Sequence, residues 1–417
     1  MTGFQRRDAA LWAESVPLAE LAERFGTPCY VYSRAAVEAA WRELDAGFGG
    51  RQHLICYAVK ANSNLALLSL LARLGAGFDI VSGGELERVL AAGGDPARVV
   101  FSGVGKSEAE IRRALEAGIL CFNVESEPEL LRIDAIARAQ GRRAPVSLRV
   151  NPDVDPRTHP YIATGLRHSK FGVPAAEAEA LYGRAQRMAG IRLTGIDFHI
   201  GSQLTSGEPL AEAVDRVLEL VDRLQAAGIS LSHLDMGGGL GIRYRDETPP
   251  SRRQYVEQLV ARVGDRPHTL LLEPGRCLVG EAGVLLTRVE YLKAGEPRGF
   301  AVVDAAMNDL LRPALYDAWQ AIERVEADTG APPRPWDVVG PVCESGDFLG
   351  RDRQLALTGR DLLAVRAVGA YGFVMSSNYN TRPRPPEVLV DGDRVWEIRE
   401  REPLAELWRG ERIPGWD

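Results

Sequence analysis

A lysine, a run of glycines and a spaced arginine–tyrosine pair are the features of this sequence best suited to chemistry. Lys60 closes an apolar run in CYAVKANSN. An ammonium is costly to bury, and a desolvated lysine sheds its proton and attacks aldehydes as a Schiff-base nucleophile. The plainer reading is a strand-end lysine pointing to water. Gly237-Gly238-Gly239 follows another apolar run. Glycines let backbone amides approach an anion closely, as a phosphate cradle requires, although ordinary turns use them too. Arg312 and Tyr316, in NDLLRPALYDA, are four apart. They share a face if the segment is helical, with Pro313 in its first turn. Guanidinium forks bind carboxylates through two parallel hydrogen bonds, while many arginines simply end in surface ion pairs.

The elements that must position these residues are eight short apolar runs, each about the length of a buried strand: LICYAV (54–59), FDIV (78–81), VVFS (99–102), LCFNV (120–124), VSLRV (146–150), TGIDFHI (194–200), HLDM (233–236) and TLLLE (269–273). Helical patterns such as NLALLSLLARLGAG and AEAVDRVLELVDRLQAAG separate them. This alternation suits a closed parallel (β/α)8 barrel, though an open doubly wound sheet would alternate similarly. The unusual residues favour the barrel. Lys60 follows the first run, Ser82-Gly83-Gly84 the second and Gly237-Gly238-Gly239 the seventh; His199 closes the sixth, and Glu273-Pro274-Gly275-Arg276 ends the eighth. Barrel enzymes gather their chemistry at the carboxyl ends of the strands.

After about residue 284 the pattern changes to strands with turn signals and few long helices. The expected fold class is therefore α/β, a TIM-like barrel over 35–284 with a mainly β domain formed by 285–417. Residues 1–34, which end in the strand-like PCYVYS, are grouped with that β domain, though the sequence leaves their packing open. Two domains suit a chain of 417 residues with 45% hydrophobic and 26% charged residues. The net charge of −7 argues against a nucleic-acid partner. The five cysteines are scattered and form no Cys-x-x-Cys pair, which argues against a disulfide framework or zinc site, so no metal is expected. Reduced thiols, the lack of a signal-like apolar N-terminus and the absence of any roughly 20-residue apolar stretch suggest a cytoplasmic protein without membrane partners.

YAVKANSN resembles the cofactor-lysine motif of the barrel-fold pyridoxal-phosphate enzymes, which include alanine racemase and several amino-acid decarboxylases. FDIVSGGELERVLAAG, FSGVGKS, RVNPDVDPRTHPYIATG, SKFG, DFHIGSQ, DMGGGLG, EPGR, CESGDFL and GAYGFVMSSNYNTRPRP follow in the order found in the diaminopimelate decarboxylases. That resemblance spans most of the chain and implies pyridoxal 5'-phosphate as cofactor.

The resemblance implies that Lys60 carries the cofactor and that His199 stacks on its ring. The phosphate would be held by Ser202, Gly237, Gly238, Gly239, Gly275, Arg276 and Tyr371. Glu273 would sit beside the ring nitrogen and keep it protonated, where racemases place an arginine that weakens the electron sink. Arg276, Arg312 and Tyr316 would grip the carboxylate at the far end of the substrate, Glu344 the distal ammonium, and Tyr371 would contact phosphate or substrate. Cys343 would return a proton after carbon dioxide departs; an unperturbed thiol titrates near about 8.5. A lone cysteine is more often inert, and His199 or Tyr371 could equally be satisfied structural groups. Asp79 and Glu85 could orient cofactor groups.

The implied reaction is decarboxylation of meso-2,6-diaminopimelate to L-lysine, in a homodimer whose active sites are shared across the interface. A related decarboxylase for arginine, ornithine or carboxynorspermidine, a racemase, or a non-catalytic cofactor-binding homologue are the rivals. The segment DPRTHPYIATG (155–165) is expected to be a lid.

Overall fold

The computed structural model describes residues 3–155, 170–327, 330 and 332–416. Apart from Asp155, the expected lid lies outside the described residues. The chain divides into two compact units. One comprises Ala40–Arg243 and Glu247–Leu278; the other comprises Met1–Ala39, Tyr244–Asp246 and Val279–Asp417.

The first unit is a closed parallel barrel. Its strands are β1 (His53–Ala58), β2 (Gly77–Ile80), β3 (Val99–Phe101), β4 (Cys121–Val124), β5 (Ala144–Asn151), β6 (Ile191–Asp197), β7 (His233–Asp235) and β8 (Thr269–Leu272). Each pairs in parallel with the next, and β8 returns to β1. All eight apolar runs are strands, so the open-sheet alternative is excluded. The sixth run ends earlier than expected: β6 stops at Asp197, which leaves His199 two residues beyond the strand rather than closing it. The Phe198 amide still bonds across to β7, donating to the Asp235 carbonyl at 3.3 Å.

Small polar residues start the barrel helices. Asn64, Ser82, Ser107, Ser126 and Ser251 each accept a backbone N–H from the first turn of the helix that follows. Such caps satisfy amides that have no partner within the helix. In the helix Glu208–Ala226, buried Leu210, Val214, Val217, Val221 and Leu224 recur at helical spacing.

The second unit is built around a nine-stranded sheet. The long strand Gly283–Lys293 pairs with Gly299–Val303 and Leu362–Val365. The N-terminal strand Cys29–Ser33 inserts between Gly283–Lys293 and Glu387–Asp391. Its five residues are all buried, which fixes the packing of the N-terminal residues that the sequence left open. Leu11, Leu18, Leu21, Val31, Leu286 and Val388 lie in one core of this unit.

Candidate active site

The interior of the barrel is polar where its strands end. Arg149 on β5, Asp197 on β6 and Asp235 on β7 are register partners in series, and Asp79 on β2, Asn123 on β4 and Glu273 after β8 are also buried. Parallel strands packed on both faces are ordinarily apolar. Charged groups here carry a desolvation cost, which ion pairs, hydrogen bonds or retained protons must offset.

Lys60 lies in the short 3-10 turn Val59–Ala61 directly after β1. Its ammonium is ion-paired with the Asp79 carboxylate. The lysine side chain is 39% exposed while Asp79 is fully buried, so the amine stands above the carboxylate at the barrel mouth. Glu85 accepts the Val81 amide at 2.7 Å, and burial pushes its carboxyl up to about 7.

Asp197, Asp235 and Glu273 place carboxylate oxygens within 4.8 Å of one another. Glu273 accepts from the Asn123 amide at 3.2 Å and the Ser102 hydroxyl at 3.4 Å; Asp235 accepts the Gly237 amide at 3.0 Å. Nearby, the Arg149 guanidinium is 3.1 Å from Glu125 and 3.9 Å from Asp197. The carboxylates outnumber the cations, so protons are retained. Burial, reinforced by mutual repulsion, raises all three groups: Asp235 to about 6, and Asp197 and Glu273 well above the usual range.

His199 accepts the Gly238 amide on Nδ1 at 3.2 Å, so its other ring nitrogen carries the proton. Burial, then the charges of Arg149 and Lys60, hold the imidazole neutral. Gly237 and Gly239 have φ of +62° and +113°, both in the region that favours glycine. A Cβ at Gly238 would strike the Glu273 carbonyl, and one at Gly275 would lie 2.9 Å from the Ala61 methyl. The two glycine segments are therefore pressed against neighbouring backbone and strand-end groups. Arg276 is buried and donates to the Ser202 hydroxyl at 3.1 Å.

The remaining expected site residues belong to the β unit. Arg312 and Tyr316 are on the five-residue helix Arg312–Tyr316, with proline in its first turn. The guanidinium lies over the rings of Tyr244 and Tyr316, 5.3 Å and 5.8 Å from their centroids. Cys343 and Glu344 occupy the turn after the strand Arg334–Val339. Of the five cysteines, all free, Cys343 alone is exposed. Tyr371 takes a left-handed φ of +55°, unusual for a bulky residue.

The sequence reading passed over Asp197, Asp235, Arg149 and Asn123. A signal existed: one or two polar residues interrupt each of several largely apolar runs, as in FDIV, CFNV, SLRV, GID and HLD. Tyr244, Tyr379 and Asn380 carried no such signal, because their contacts depend on distant segments.

Residues 34–280 match the family described as pyridoxal-dependent decarboxylase, pyridoxal binding domain. The chain is 60% identical over 413 residues to the diaminopimelate decarboxylase of Pseudomonas aeruginosa, with 99% of each chain covered. Among solved structures it is similar to diaminopimelate decarboxylase from Helicobacter pylori complexed with L-lysine, at 44% identity and a TM-score of 0.91, covering 94% of this chain and 98% of that one. It is also similar to the M. jannaschii enzyme in co-complex with L-lysine, at 37% identity and a TM-score of 0.94, with 99% of each covered.

Proposed function

The chain belongs to the diaminopimelate decarboxylases, within the pyridoxal-dependent decarboxylase family, and on that premise we propose how its residues divide the work. The reaction converts meso-2,6-diaminopimelate to L-lysine and carbon dioxide, the last step of lysine biosynthesis. What carries the reading is the gathering of Lys60, the glycine cradle, Arg276 and Glu273 at the carboxyl ends of the barrel strands.

These residues fit pyridoxal phosphate. Lys60 would hold the aldehyde, and Ser202, Gly237, Gly238, Gly239, Gly275 and Arg276, with Tyr371, the phosphate. The excess of buried carboxylates suits a cationic ring nitrogen, whose charge opposes the effect of burial on Glu273. When bound, the cofactor supplies an electron sink for the pair left as carbon dioxide departs.

Glu273 would hold a proton on the ring nitrogen, and the neutral His199 would pack against the ring face. Asp79 orients the Lys60 amine through their ion pair. Arg312, braced on two aromatic rings, binds the distal carboxylate of the substrate with Arg276 and Tyr316, and Glu344 takes the distal ammonium. Ornithine or lysine lacks that carboxylate. It would forgo those charge-assisted bonds, worth roughly 1.5–3 kcal/mol each. Cys343 returns the proton to the α-carbon.

We propose further that the barrel residues and the β-unit residues work as one site shared across a homodimer, and that the protein acts in the cytoplasm, in keeping with five free thiols. Among the described residues no helix is long and apolar enough to cross a membrane.

The test is release of carbon dioxide and L-lysine from purified holoprotein supplied in turn with meso-diaminopimelate, lysine, ornithine and arginine. Diaminopimelate should be turned over fastest by a wide margin. Silence with it, alongside turnover of another amino acid, would refute the substrate assignment.

A further inference from the structure

The exposed thiol of Cys343 stands on a turn that is tied down from both sides. Beneath it, the buried carboxylate of Asp347 accepts the Val342 amide at 2.9 Å and the Met307 amide at 2.7 Å. Within the turn, the Glu344 amide donates to the Val342 carbonyl at 2.8 Å and the Asp347 amide to the Glu344 carbonyl at 3.0 Å. The Cys343 amide is engaged from a distant loop: it donates to Oδ1 of Asn380 at 2.7 Å. The next pair along matches it, since the Tyr379 hydroxyl donates to the Glu344 carboxylate at 3.2 Å.

The loop that reaches across is built at a backbone cost. Asn380 and Thr381 take φ of +56° and +55°. Asparagine tolerates that region better than most residues, whereas a β-branched threonine is a true outlier there. The Asn378 side chain fixes the loop by donating to Glu402 at 2.7 Å and to the Arg382 carbonyl at 3.0 Å. The Ser377 amide adds a 2.8 Å bond to the Asn308 carbonyl. Surface turns are ordinarily bonded to water and mobile; this one is held in one conformation by side chains directed at two consecutive residues.

We infer that Asn380 and Tyr379 are positioning residues for the decarboxylation, acting through the Cys343 amide and the Glu344 carboxylate. The inference rests on the reading that Cys343 returns the proton and Glu344 takes the distal ammonium. Fixing the Cys343 backbone restricts the thiol to the few placements its single side-chain torsion allows. A proton donor displaced by about 1 Å can lose on the order of a hundred-fold in rate. The Tyr379 hydroxyl holds one oxygen of Glu344 and so sets where the other points.

Substitutions at 380 separate the hydrogen bond from the backbone shape. Asn380→Gly keeps the left-handed conformation at lower cost but removes the acceptor. Asn380→Asp keeps both and adds a charge near the thiol. With the holoenzymes and meso-diaminopimelate, Asn380→Gly should lower kcat roughly ten- to a hundred-fold, with KM and cofactor absorbance little changed. Asn380→Asp should recover most of that loss, and the pH midpoint for alkylation of Cys343 by iodoacetamide should move up. Tyr379→Phe should raise KM more than it lowers kcat. Wild-type kcat in Asn380→Gly overturns the Asn380 assignment, as does an Asn380→Asp variant no better than the glycine one. An unchanged KM in Tyr379→Phe overturns the Tyr379 assignment. Cys343→Ala serves as the reference: full turnover in that variant removes the underlying reading and the inference together, whereas an inactive Cys343→Ala beside a normal Asn380→Gly overturns the inference alone.

Discussion

Lys60 and Asp79 form an ion pair between neighbouring barrel strands, with the carboxylate fully buried and the ammonium partly open to the barrel mouth. The pair joins the end of β1 to β2. Removing either partner therefore has a chemical and a structural consequence.

Lys60→Ala should lose the visible absorbance of the cofactor-bound protein, and borohydride reduction of the wild type should fix a pyridoxyl group at Lys60 on peptide mapping. The substitution also leaves the Asp79 carboxylate without its ammonium. Because the lysine is 39% exposed and water partly screens the pair, the stability loss should be modest, roughly 1–2 kcal/mol, seen as a lower urea midpoint. Label recovered only at another lysine would sink the assignment.

Much of the candidate site could be proposed from the chain alone, and the unread part has a common cause. Lys60, Glu273 and Gly237–Gly239 stand out because each interrupts or ends an apolar run in a strand, where period and chemistry coincide. The eight strands were legible for the same reason. Asp197 and Asp235 follow the same rule, but they mean little until register sets them beside Glu273. Tyr244 was invisible: its ring meets Arg312 through a contact spanning many intervening residues that no local pattern encodes. Asn380, too, became meaningful only when the loop carrying it was seen to reach the Cys343 amide.

Asp235 should reveal itself in the pH dependence of apoprotein stability. Its carboxyl titrates near about 4 in an unfolded chain and is raised to about 6 in the fold, chiefly by burial. The folded protein therefore holds this proton more tightly. The resulting stabilisation is complete below about pH 4 and is lost as pH rises through 6. Asparagine cannot ionise, so Asp235→Asn should gain on the wild type between pH 4 and pH 8, by about 1–3 kcal/mol. Urea midpoints at the two ends of that range provide the measurement. A difference that is flat with pH, or that moves the other way, would contradict the raised carboxyl of Asp235.

Cys343→Ala should bind the cofactor with normal absorbance, because the thiol is not among the residues proposed to hold it. Turnover of meso-diaminopimelate should fall by roughly 10²–10⁴-fold, the usual contribution of a positioned acid or base. Cys343→Ser separates acidity from shape: a hydroxyl is a far weaker acid than a thiol, so it should rescue little. Serine activity close to that of the wild type would mean that Cys343 is not the proton source.

Arg312 offers the sharpest test of what distinguishes the substrate. Its guanidinium is braced on Tyr244 and Tyr316 and is mostly buried, so it is preorganised to meet a carboxylate with two parallel bonds. Arg312→Lys keeps the charge but loses the fork and much of the stacking. It should cut kcat/KM for meso-diaminopimelate by roughly 10–100-fold, the value of about 1.5–3 kcal/mol for a hydrogen bond to a charged group. For ornithine, which has no distal carboxylate, the same substitution should matter little. The ratio of kcat/KM for diaminopimelate to that for ornithine is thus the quantity to measure. A loss shared equally by both substrates would show that Arg312 supports the fold of the site and does not read the substrate's far end.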